Sequence, residues 1–435
     1  MKFISCLSLL PAVLAVSSAP SGCIKVAKSR GDYSTIQAAV NSLSTSSTAA
    51  QCIFISAGTY KEQVIIAARN AQLTIYGSTK DGSSYASNTV TISSGLSQAD
   101  GLNDEGTATL RNRASGFRLY NVNVENTYGS GSQAVALSSY ADSGFYGSSF
   151  TGFQDTVLSN AGKQVFVDCM IEGATDFIFG QSAFSWFERV DLRVLSAKLG
   201  YVTADGPTSS KASYYVFNNC DIAAASGQSV PTGAYYLGRP WGQYAQVVFQ
   251  KTSMSSVINS AGWSVWSTSD PRTSSVLFGE YKNTGAGASG TRASFAKTLG
   301  SAVAIKDILG SSYASAPYFD SNYFNGAYVA DALRNASRKG SVETKSLRIV
   351  NKPNNFFLII SAFDRLQLAF HAHRNLYLTL ITSSLIGDYR ARHSTDCSVP
   401  DNLLWDELDS EQNQEKPFTT MASYSGTTIK YSVGE

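Results

Sequence analysis

The hexapeptide Leu119-Tyr-Asn-Val-Asn-Val124 is one copy of a pattern that returns along much of the chain. In each copy two apolar residues stand five positions apart, with small or polar residues between them. The other copies lie at residues 145–150, 166–171, 217–222 and 249–254, the last being the weakest. Successive copies begin 21 to 51 residues apart, as expected for solenoid coils that carry loops of varied length. The repeat therefore predicts an all-β solenoid, a β-helix whose repeated apolar residues stack inside the coil.

Short apolar segments bounded by turn residues favour the same architecture. Strands are predicted at residues 52–55, 64–66, 73–76 and 90–92. Many strands this short are more typical of a solenoid than of a sandwich. One segment, residues 33–43, has apolar residues at helical spacing, and we expect it to form a short helix that caps the N-terminal end of the β-helix.

Three segments of different character divide the 435 residues. Residues 1–18 are predicted to be a secretory signal peptide, because a lysine precedes an apolar run that is too short to span a membrane and small residues follow it. Residues 19–335 are expected to form the β-helix domain. Residues 336–435 contain all three histidines and no further repeat, and we treat them as an extension of unknown order, or as read-through of non-coding sequence.

The number of cysteines is compatible with disulfide bonds in an oxidising compartment, with one cysteine left unpaired. Cys6 lies in the predicted signal peptide, and five cysteines remain after it. A bond between Cys23 and Cys52 is expected, because each lies near an apolar segment close to the N-terminus. The other two cysteines of the β-helix part are also able to pair, and the sequence leaves their pairing open, while Cys397 is the odd one.

Composition excludes several kinds of function. The formal net charge is +2 and no stripe of Lys and Arg occurs, so we expect no nucleic-acid partner. Residues 19–340 contain no histidine and no Gly-x-Ser-x-Gly segment, which excludes a Ser-His-Asp mechanism there. They also lack a Cys-x-x-Cys pair, so no zinc site of the usual kind is expected, and hydrolysis through carboxylates requires neither a metal nor an organic cofactor. If this part is an enzyme, carboxylates must carry its chemistry.

Two aspartates share the spacing of the coils. Asp155 lies in Gly152-Phe-Gln-Asp-Thr156, and Asp176 lies 21 residues later in Asp176-Phe-Ile-Phe-Gly180. The repeat copies at 145 and 166 have the same offset, so the two aspartates should lie on one face about 4.8 Å apart along the axis. Two carboxyls so close do not both ionise easily, which favours one acid and one nucleophile. The alternative is that each aspartate only binds the backbone of its own turn.

Two further motifs supply polar and aromatic side chains. In Leu237-Gly-Arg-Pro-Trp-Gly242, Arg239 has the planar fork that suits a carboxylate, and Trp241 has a ring able to stack on a sugar. The alternative is a proline turn with a structural tryptophan. Gln133 is expected to start a strand one coil before Asp155, where its amide is able to donate to an oxyanion. Alone, it is equally compatible with a ladder residue of the solenoid.

Together these motifs resemble the pectinesterase (pectin methylesterase) family. The similar segments occur in the order of that family over roughly residues 24–320, and they are residues 58–62, 133–137, 152–156, 176–180, 237–241, 262–263 and 278–281. Any one of these segments is a weak signal, but the ordered set is highly specific. The resemblance implies a right-handed parallel β-helix and a secreted hydrolase that removes methyl esters from polygalacturonate.

The resemblance also implies a role for each matched site residue. Asp176 corresponds to the nucleophile, and Asp155 corresponds to the general acid that later acts as a base. Gln133 and Gln154 correspond to the amides that stabilise the tetrahedral oxyanion. Arg239 corresponds to the residue that orients the nucleophile by a charged hydrogen bond.

Three aromatic residues are expected to bind the saccharide: Trp241, Phe153 and Phe177. The expected partner is methylated pectin, and we expect a monomer that is free of the membrane after signal cleavage. The chain has Asp205 where many members of the family have glutamine, and this difference is expected to alter a peripheral subsite.

Two other interpretations remain compatible with the sequence. The same scaffold hosts polysaccharide lyases and glycosidases, which would release uronate products or reducing ends in place of methanol. A catalytically inactive β-helix that only binds pectin is the second alternative. Retention of both aspartates, both glutamines and Arg239 argues against an inactive binder, because binding alone does not need an acid and a nucleophile.

Overall fold

The computed structural model describes residues 16–326, 348–352 and 355–359. The chain divides into two compact units, residues 1–339 and residues 340–435. The described part of the second unit is an antiparallel pair of strands, Arg348–Lys352 and Asn355–Ile359. No helix among these described residues is long and apolar enough to cross a membrane.

Three parallel sheets run along the first unit. The first sheet has eleven strands in chain order: β1 (Ile24–Val26), β2 (Gln51–Ile55), β5 (Leu73–Gly77), β8 (Phe117–Tyr120), β11 (Ser143–Tyr146), β14 (Ala161–Val167), β17 (Ser182–Glu188), β20 (Tyr214–Asn218), β23 (Gln246–Gln250), β25 (Leu277–Tyr281) and β26 (Ala296–Thr298). The second sheet has eight: β3 (Gly58–Lys61), β6 (Val90–Ser94), β9 (Asn123–Asn126), β12 (Ser149–Thr151), β15 (Met170–Gly173), β18 (Asp191–Val194), β21 (Asp221–Ala224) and β24 (Ser253–Met254). The third sheet has seven: β4 (Val64–Ile66), β7 (Leu110–Asn112), β10 (Leu137–Ser139), β13 (Val157–Ser159), β16 (Ile178–Gly180), β19 (Gly200–Asp205) and β22 (Tyr235–Gly238).

Each central coil contributes one strand to each sheet, as β11, β12 and β13 do in succession, and neighbouring strands within a sheet belong to neighbouring coils. This arrangement confirms the predicted parallel β-helix. Helices are few and short among the described residues, namely α1 (Ile36–Ser42), α2 (Asp104–Thr107), α3 (Ile305–Leu309) and α4 (Ser321–Phe324). Four single turns of 3₁₀ helix lie in loops, at Tyr85–Ser87, Gln98–Asp100, Ala286–Ala288 and Tyr313–Ser315.

The sequence repeat marks the corner between the first and second sheets. Its first apolar residue ends a strand of the first sheet and its second lies in the next strand of the second sheet, as Phe166 in β14 and Ile171 in β15 do. Two residues after the first apolar residue the backbone turns through the left-handed region, for example at Asp168 (φ 50°) and Asn219 (φ 55°). Asn and Asp tolerate this conformation better than most residues, which explains the polar residues inside the repeat.

A further copy lies at residues 187–192 and divides the longest interval of the repeat. Phe187 stacks between Phe166 and Phe217, with ring centroids 4.7 Å and 4.3 Å away. The ladder continues to Phe145 on one side and Phe249 on the other, and all five rings are fully buried. Full burial of one such side chain contributes about 1.5–3 kcal/mol, so the ladder is a large part of the continuous core that the repeat predicts.

The N-terminal coil is closed by the predicted helix and disulfide. Helix α1 begins at Ile36, three residues later than the apolar pattern, because the Thr35 side chain caps it by accepting from the backbone N–H of Ala38. The Glu62 carboxylate also accepts hydrogen bonds from two N–H groups of the first turn. The bond between Cys23 and Cys52 is present, which confirms that expectation.

The remaining described cysteines, Cys169 and Cys220, are buried and unpaired inside the coil. Residues 1–15 of the predicted signal peptide, Cys397 and the three histidines lie outside the described residues. The segment after β26 packs along the outer face of the first sheet. Its apolar side chains join an outer cluster with the sheet tyrosines, and they are Ile308, Leu309, Tyr318, Phe319 and Tyr323.

Candidate active site

The corner between the second and third sheets brings Asp155 and Asp176 together. Val157 of β13 pairs with Ile178 of β16, and an isolated parallel bridge joins Gln154 to Thr175. The two aspartates therefore occupy the same position of adjacent coils, as the equal offset predicts. Each has a left-handed backbone, with φ of 64° for Asp155 and 49° for Asp176.

A left-handed conformation is uncommon for a residue other than glycine, and it turns each carboxyl out of the coil at the start of a strand. Both side chains are nevertheless mostly buried, since the residues are only 7% and 6% exposed.

Arg239 binds one of the two carboxylates. Its Nε donates to Oδ1 of Asp176 at 2.9 Å and its Nη2 donates to Oδ2 at 2.6 Å. This bidentate geometry is that of an ionised carboxylate against a guanidinium. The guanidinium lies between two aromatic rings, 4.1 Å from the centroid of Tyr201 and 4.4 Å from that of Trp266. The planar cation is thus fixed on both faces while its edge holds Asp176.

The second carboxyl has a different environment. Asp155 makes no side-chain hydrogen bond to any described residue. Burial, with the negative charges of Asp176 and Asp104, raises the pKa of Asp155 well above its usual range, and Arg239 opposes this only in part. Burial also raises the pKa of Asp176, but there two hydrogen bonds and the positive charge of Arg239 work against the rise. The surroundings therefore favour a protonated Asp155 beside an ionised Asp176.

Two amides lie beside this pair. Gln154 immediately precedes Asp155, and Gln133 lies one coil earlier. Both are partly exposed, and neither side chain makes a hydrogen bond to another described residue, so both amides are available to a ligand. The expectation that Gln133 starts a strand is wrong, because β10 begins at Leu137 and Gln133 lies in the preceding loop. There its backbone carbonyl accepts from the N–H of Gln98.

The three predicted aromatic contacts have different outcomes. Phe177 is fully buried in the main core, so the prediction that it binds the saccharide is wrong. The backbone turn at Asp176 directs that carboxyl outward and the next side chain into the coil. Phe153 and Trp241 are partly exposed. Trp241 lies on an outer apolar cluster beside Phe179, with the ring centroids 6.1 Å apart.

An open cleft adjoins Trp241. It has a volume of about 430 Å³. Its lining is mostly polar and small, comprising Gln181, Gly206, Pro207, Thr208, Trp241, Gly242, Gln243, Asp270 and Arg272. Arg272 fixes one edge of the cleft, because its Nη1 donates to the backbone oxygen of Trp241 and its Nε donates to the Asp270 carboxylate at 2.7 Å.

Asp205 has a structural place, and any effect on a subsite stays a prediction. It is fully buried, accepts a hydrogen bond from the Ser213 hydroxyl and another from the backbone N–H of Gln246. Burial raises the pKa of Asp205 to about 7. Its backbone oxygen accepts from the N–H of Gly242, so the residue supports the loop that carries Trp241.

Sequence reasoning missed three residues of the site: Tyr201, Trp266 and Asp104. Trp266 follows the matched segment 262–263 by three positions, and only that proximity to a motif could have drawn attention to it. Asp104 lies in the short helix α2, 51 residues before Asp155 and outside every copy of the repeat. No group of three His, Cys, Asp or Glu side chains suited to a metal occurs within the described ranges.

The described part of the chain is thus a parallel β-helix of the carbohydrate-esterase type, with a buried aspartate pair, a paired arginine and two free amides at one corner. The pectinesterase family model matches residues 23–321 of this chain. The chain belongs to the pectinesterase family.

Individual relatives agree with this assignment. A pectinesterase of Aspergillus aculeatus is 53% identical over 313 residues, which are 71% of this chain and 94% of that protein. A pectinesterase of Aspergillus niger is 51% identical over 312 residues, again 71% and 94% of the two chains. The crystal structure of a pectin methylesterase from Aspergillus niger, in deglycosylated form, superposes with a TM-score of 0.66 at 41% identity and covers 71% of this chain and all of the other. Family and fold therefore agree over the same part of the chain.

Proposed function

We propose that the chain hydrolyses the methyl esters of polygalacturonate to free carboxylates and methanol, with Asp176 as nucleophile and Asp155 as general acid. The observation that carries the proposal is the difference in hydrogen bonding between the two aspartate carboxyls. Asp176 is held as a carboxylate by two hydrogen bonds from Arg239, whereas the carboxyl of Asp155, one coil away, has no hydrogen-bond partner among the described residues. Relatives named pectinesterases support the same substrate.

In the first half of the reaction a carboxylate oxygen of Asp176 adds to the carbonyl carbon of the methyl ester. The negative charge moves to the carbonyl oxygen, where the amides of Gln133 and Gln154 donate hydrogen bonds. The carbonyl forms again as the bond to the methoxy oxygen breaks, and Asp155 gives its proton to that oxygen. Methanol leaves, and the uronate is joined to Asp176 as an acid anhydride.

The second half restores both aspartates. Asp155, now ionised, removes a proton from water as the water oxygen adds to the uronate carbonyl carbon. The bond to the Asp176 oxygen breaks, which releases the uronic acid and returns Asp176 as a carboxylate. Asp155 is left protonated for the next cycle. One ester and one water thus give one acid and one methanol, and no metal or cofactor takes part.

The saccharide is proposed to lie across the outer face of the third sheet with Trp241 and Phe153 beside the reacting residue. Both are partly exposed; Phe153 precedes Asp155 at the corner of the aspartates, and Trp241 packs beside Phe179 on the outer face of the third sheet. Trp241 can stack on a sugar ring because its own ring is fixed against Phe179 and the cleft behind it is open. We infer further that the protein acts outside the cell as a monomer, after residues 1–18 are removed.

The reaction type is tested by incubating the full chain with highly methylated pectin and measuring three products together. We expect methanol and titratable acid in equal amounts, with no unsaturated uronate and no new reducing ends. Unsaturated uronate would indicate a lyase, and new reducing ends would indicate a glycosidase. Binding to pectin without any product would indicate an inactive binding protein.

A further inference from the structure

Trp266 lies beside the aspartate pair because of the way the chain leaves the third sheet. Beyond β22 the sheet is continued by an isolated parallel bridge between Gly238 and Trp263. The chain then forms a tight loop, in which the N–H of Trp266 donates to the backbone oxygen of Pro271. Trp266 stands at the base of this loop, and its side chain contacts Arg239, the residue that directly follows Gly238.

The ring of Trp266 is shared by two arginines. The guanidinium carbon of Arg239 lies 4.4 Å from the ring centroid, and that of Arg272, which follows the same loop, lies 4.9 Å from it. At both distances the negative face of an indole attracts a cation, and indole does so more strongly than the rings of Tyr or Phe. One partly exposed side chain thus contacts two charged groups that belong to different parts of the site.

The first of these arginines binds the proposed nucleophile. The Arg239 guanidinium also contacts the ring of Tyr201, 4.1 Å away, and its edge donates to both oxygens of Asp176. Burial raises the pKa of Asp176, and the two hydrogen bonds and the charge of Arg239 oppose that rise. A bidentate pair needs its planar fork in one orientation, and the two rings supply that orientation. The ionisation of Asp176 therefore depends in part on the side chains that hold Arg239.

The second arginine binds the loop that carries the proposed saccharide contact. Nη1 of Arg272 donates to the backbone oxygen of Trp241, and its Nε donates to the Asp270 carboxylate at 2.7 Å. The ring of Trp241 lies directly on the backbone of Gly206, where the Cβ of any other residue would collide with it. The position of Trp241 is thus set by a close contact of its ring and by Arg272 at its backbone.

We propose that Trp266 is a positioning residue that joins the reacting carboxylate to the saccharide cleft. Through Arg239 it fixes Asp176, and through Arg272 it fixes the loop that carries Trp241. This rests on the proposed function, in which Asp176 attacks the ester and Trp241 binds a sugar. A uronate methyl ester bound against Trp241 is then presented to Asp176 at a constant distance, which attack on a carbonyl carbon requires. Trp266 acts through the two arginines and not by contact with the polymer.

The test uses Trp266→Leu, which keeps an apolar side chain and loses the aromatic face. On highly methylated pectin we expect kcat for methanol release to fall about tenfold and KM to rise about threefold. The acid limb of the kcat/KM profile should move to higher pH, because Asp176 loses part of the interaction that lowers its pKa. Trp266→Phe, which restores a ring, should recover most of both losses. Unchanged kcat and an unchanged acid limb in folded Trp266→Leu would overturn the proposal.

Two further variants show whether the effect is specific. Arg272→Gln removes the link to Trp241 alone, so KM should rise about threefold while the acid limb stays in place. Tyr281→Leu is the matched control, because its partly exposed ring also lies near a cation, 5.4 Å from Lys282, but on β25 of the first sheet. It should leave kcat, KM and the pH profile unchanged. A KM that Arg272→Gln does not raise, or a control that loses as much as Trp266→Leu, would contradict the proposal.

A measurement without turnover separates this proposal from the proposed function. NMR of the full chain with isotope-labelled aspartate carboxyls follows the titration of Asp176, and Asp176→Asn assigns its signal. The midpoint should lie at higher pH in Trp266→Leu than in the parent, and Trp266→Phe should return it toward the parent value. If the parent released no methanol but the midpoint moved in this way, the proposed function would fail and the positioning role would stand. An equal midpoint in a folded Trp266→Leu protein that releases methanol as the parent does would remove the positioning role alone, with folding checked by circular dichroism.

Discussion

At the scale of single residues, the two aspartates are alike in backbone and burial and differ in their charged neighbours. Asp176 has the guanidinium of Arg239, and Asp155 has two carboxylates, Asp176 and Asp104, within electrostatic reach. In the proposed mechanism this difference in charged neighbours assigns the nucleophile to Asp176 and the proton donor to Asp155. The identity of each role is decided by charge placement outside the coil and not by the coil itself.

Replacing Asp155 by Asn should remove the proton donor and keep the shape of the side chain. We expect kcat for methanol release to fall by about 10²–10⁴-fold. A phenyl ester of galacturonate should retain a rapid first turnover, because phenolate leaves without a proton, and then stall because water is no longer activated. Stopped-flow absorbance of phenol checks this, and steady turnover without a burst would contradict the role of Asp155.

Asp104 should act on Asp155 through its charge. Burial is the main reason that the pKa of Asp155 is raised, and the charges of Asp176 and Asp104 add to it. Asp104→Asn removes one of those charges, so the pKa of Asp155 should fall. Since the acid must be protonated, the alkaline limb of the kcat/KM profile should move to lower pH. A profile measured over the full pH range decides this, and a limb that stays in place or moves upward would show that Asp104 does not act on the acid.

Single residues also show what the sequence could and could not predict. The proximity of Asp155 and Asp176 was predictable because the 21 residues between them equal the spacing of two successive repeat copies. Residues one coil apart lie side by side on neighbouring parallel strands. Trp266 and Asp104 reach the site from loops, and the path of each loop depends on tertiary packing. The sequence has no periodic pattern that predicts that path. Phe177 was assigned wrongly because adjacency to Asp176 does not determine which side of the backbone a residue faces after a left-handed turn.

At the scale of elements, the corner between the first and second sheets is set by the repeat. Two positions after the apolar residue that ends a strand of the first sheet, a residue adopts a left-handed backbone conformation. The second apolar residue of the repeat then faces the core again from the second sheet. The copies at 145 and 166 were recognisable because both flank such a turn with aromatic and aliphatic residues. The copy at 187 has the same kind of turn, with Arg189 at φ 52° as Lys251 has in the copy at 249, so the turn residue does not explain why the sequence did not predict it. Loop lengths between copies vary too much for spacing alone to reveal it.

The aromatic ladder should make a strong contribution to stability. Phe166 is fully buried between Phe145 and Phe187, with ring centroids 4.6 Å and 4.7 Å away. Phe166→Ala should lower the free energy of unfolding by about 3–5 kcal/mol, because it removes buried apolar area and leaves a cavity between two rings. Phe166→Leu should lower it by less. Urea unfolding followed by circular dichroism gives the measurement, and a loss below about 1 kcal/mol for the alanine variant would contradict a continuous ladder.

At the scale of the whole molecule, the described core residues of the first unit are buried against one another in two clusters that run along the β-helix. The segment after β26 already covers the outer face of the first sheet, with Ile308, Phe319 and Tyr323 packed on its tyrosines. The family model ends at residue 321, inside that covering segment. The sequence predicts that the β-helix domain ends near residue 335, because the repeats stop before that residue and histidines occur only after it.

A chain ending at residue 339 should therefore fold and act as the full chain does. We expect its melting temperature to lie within about 2 °C of that of the full chain, and kcat/KM on methylated pectin to be unchanged within about twofold, since the described catalytic and core residues are all retained. Differential scanning calorimetry and a methanol assay on both proteins test this. A large loss of either quantity would show that residues 340–435 support the β-helix.

The central claim, that Asp176 is the nucleophile of an esterase, is tested most directly by methanol release from highly methylated pectin with Asp176→Asn. The control is Asp221→Asn, which removes an aspartate on the outside of the second sheet that is paired with Arg193. We predict that Asp176→Asn loses at least about 10³-fold in kcat while it remains folded, and that Asp221→Asn keeps the activity of the parent. Methanol release by folded Asp176→Asn at the rate of the parent would contradict the account.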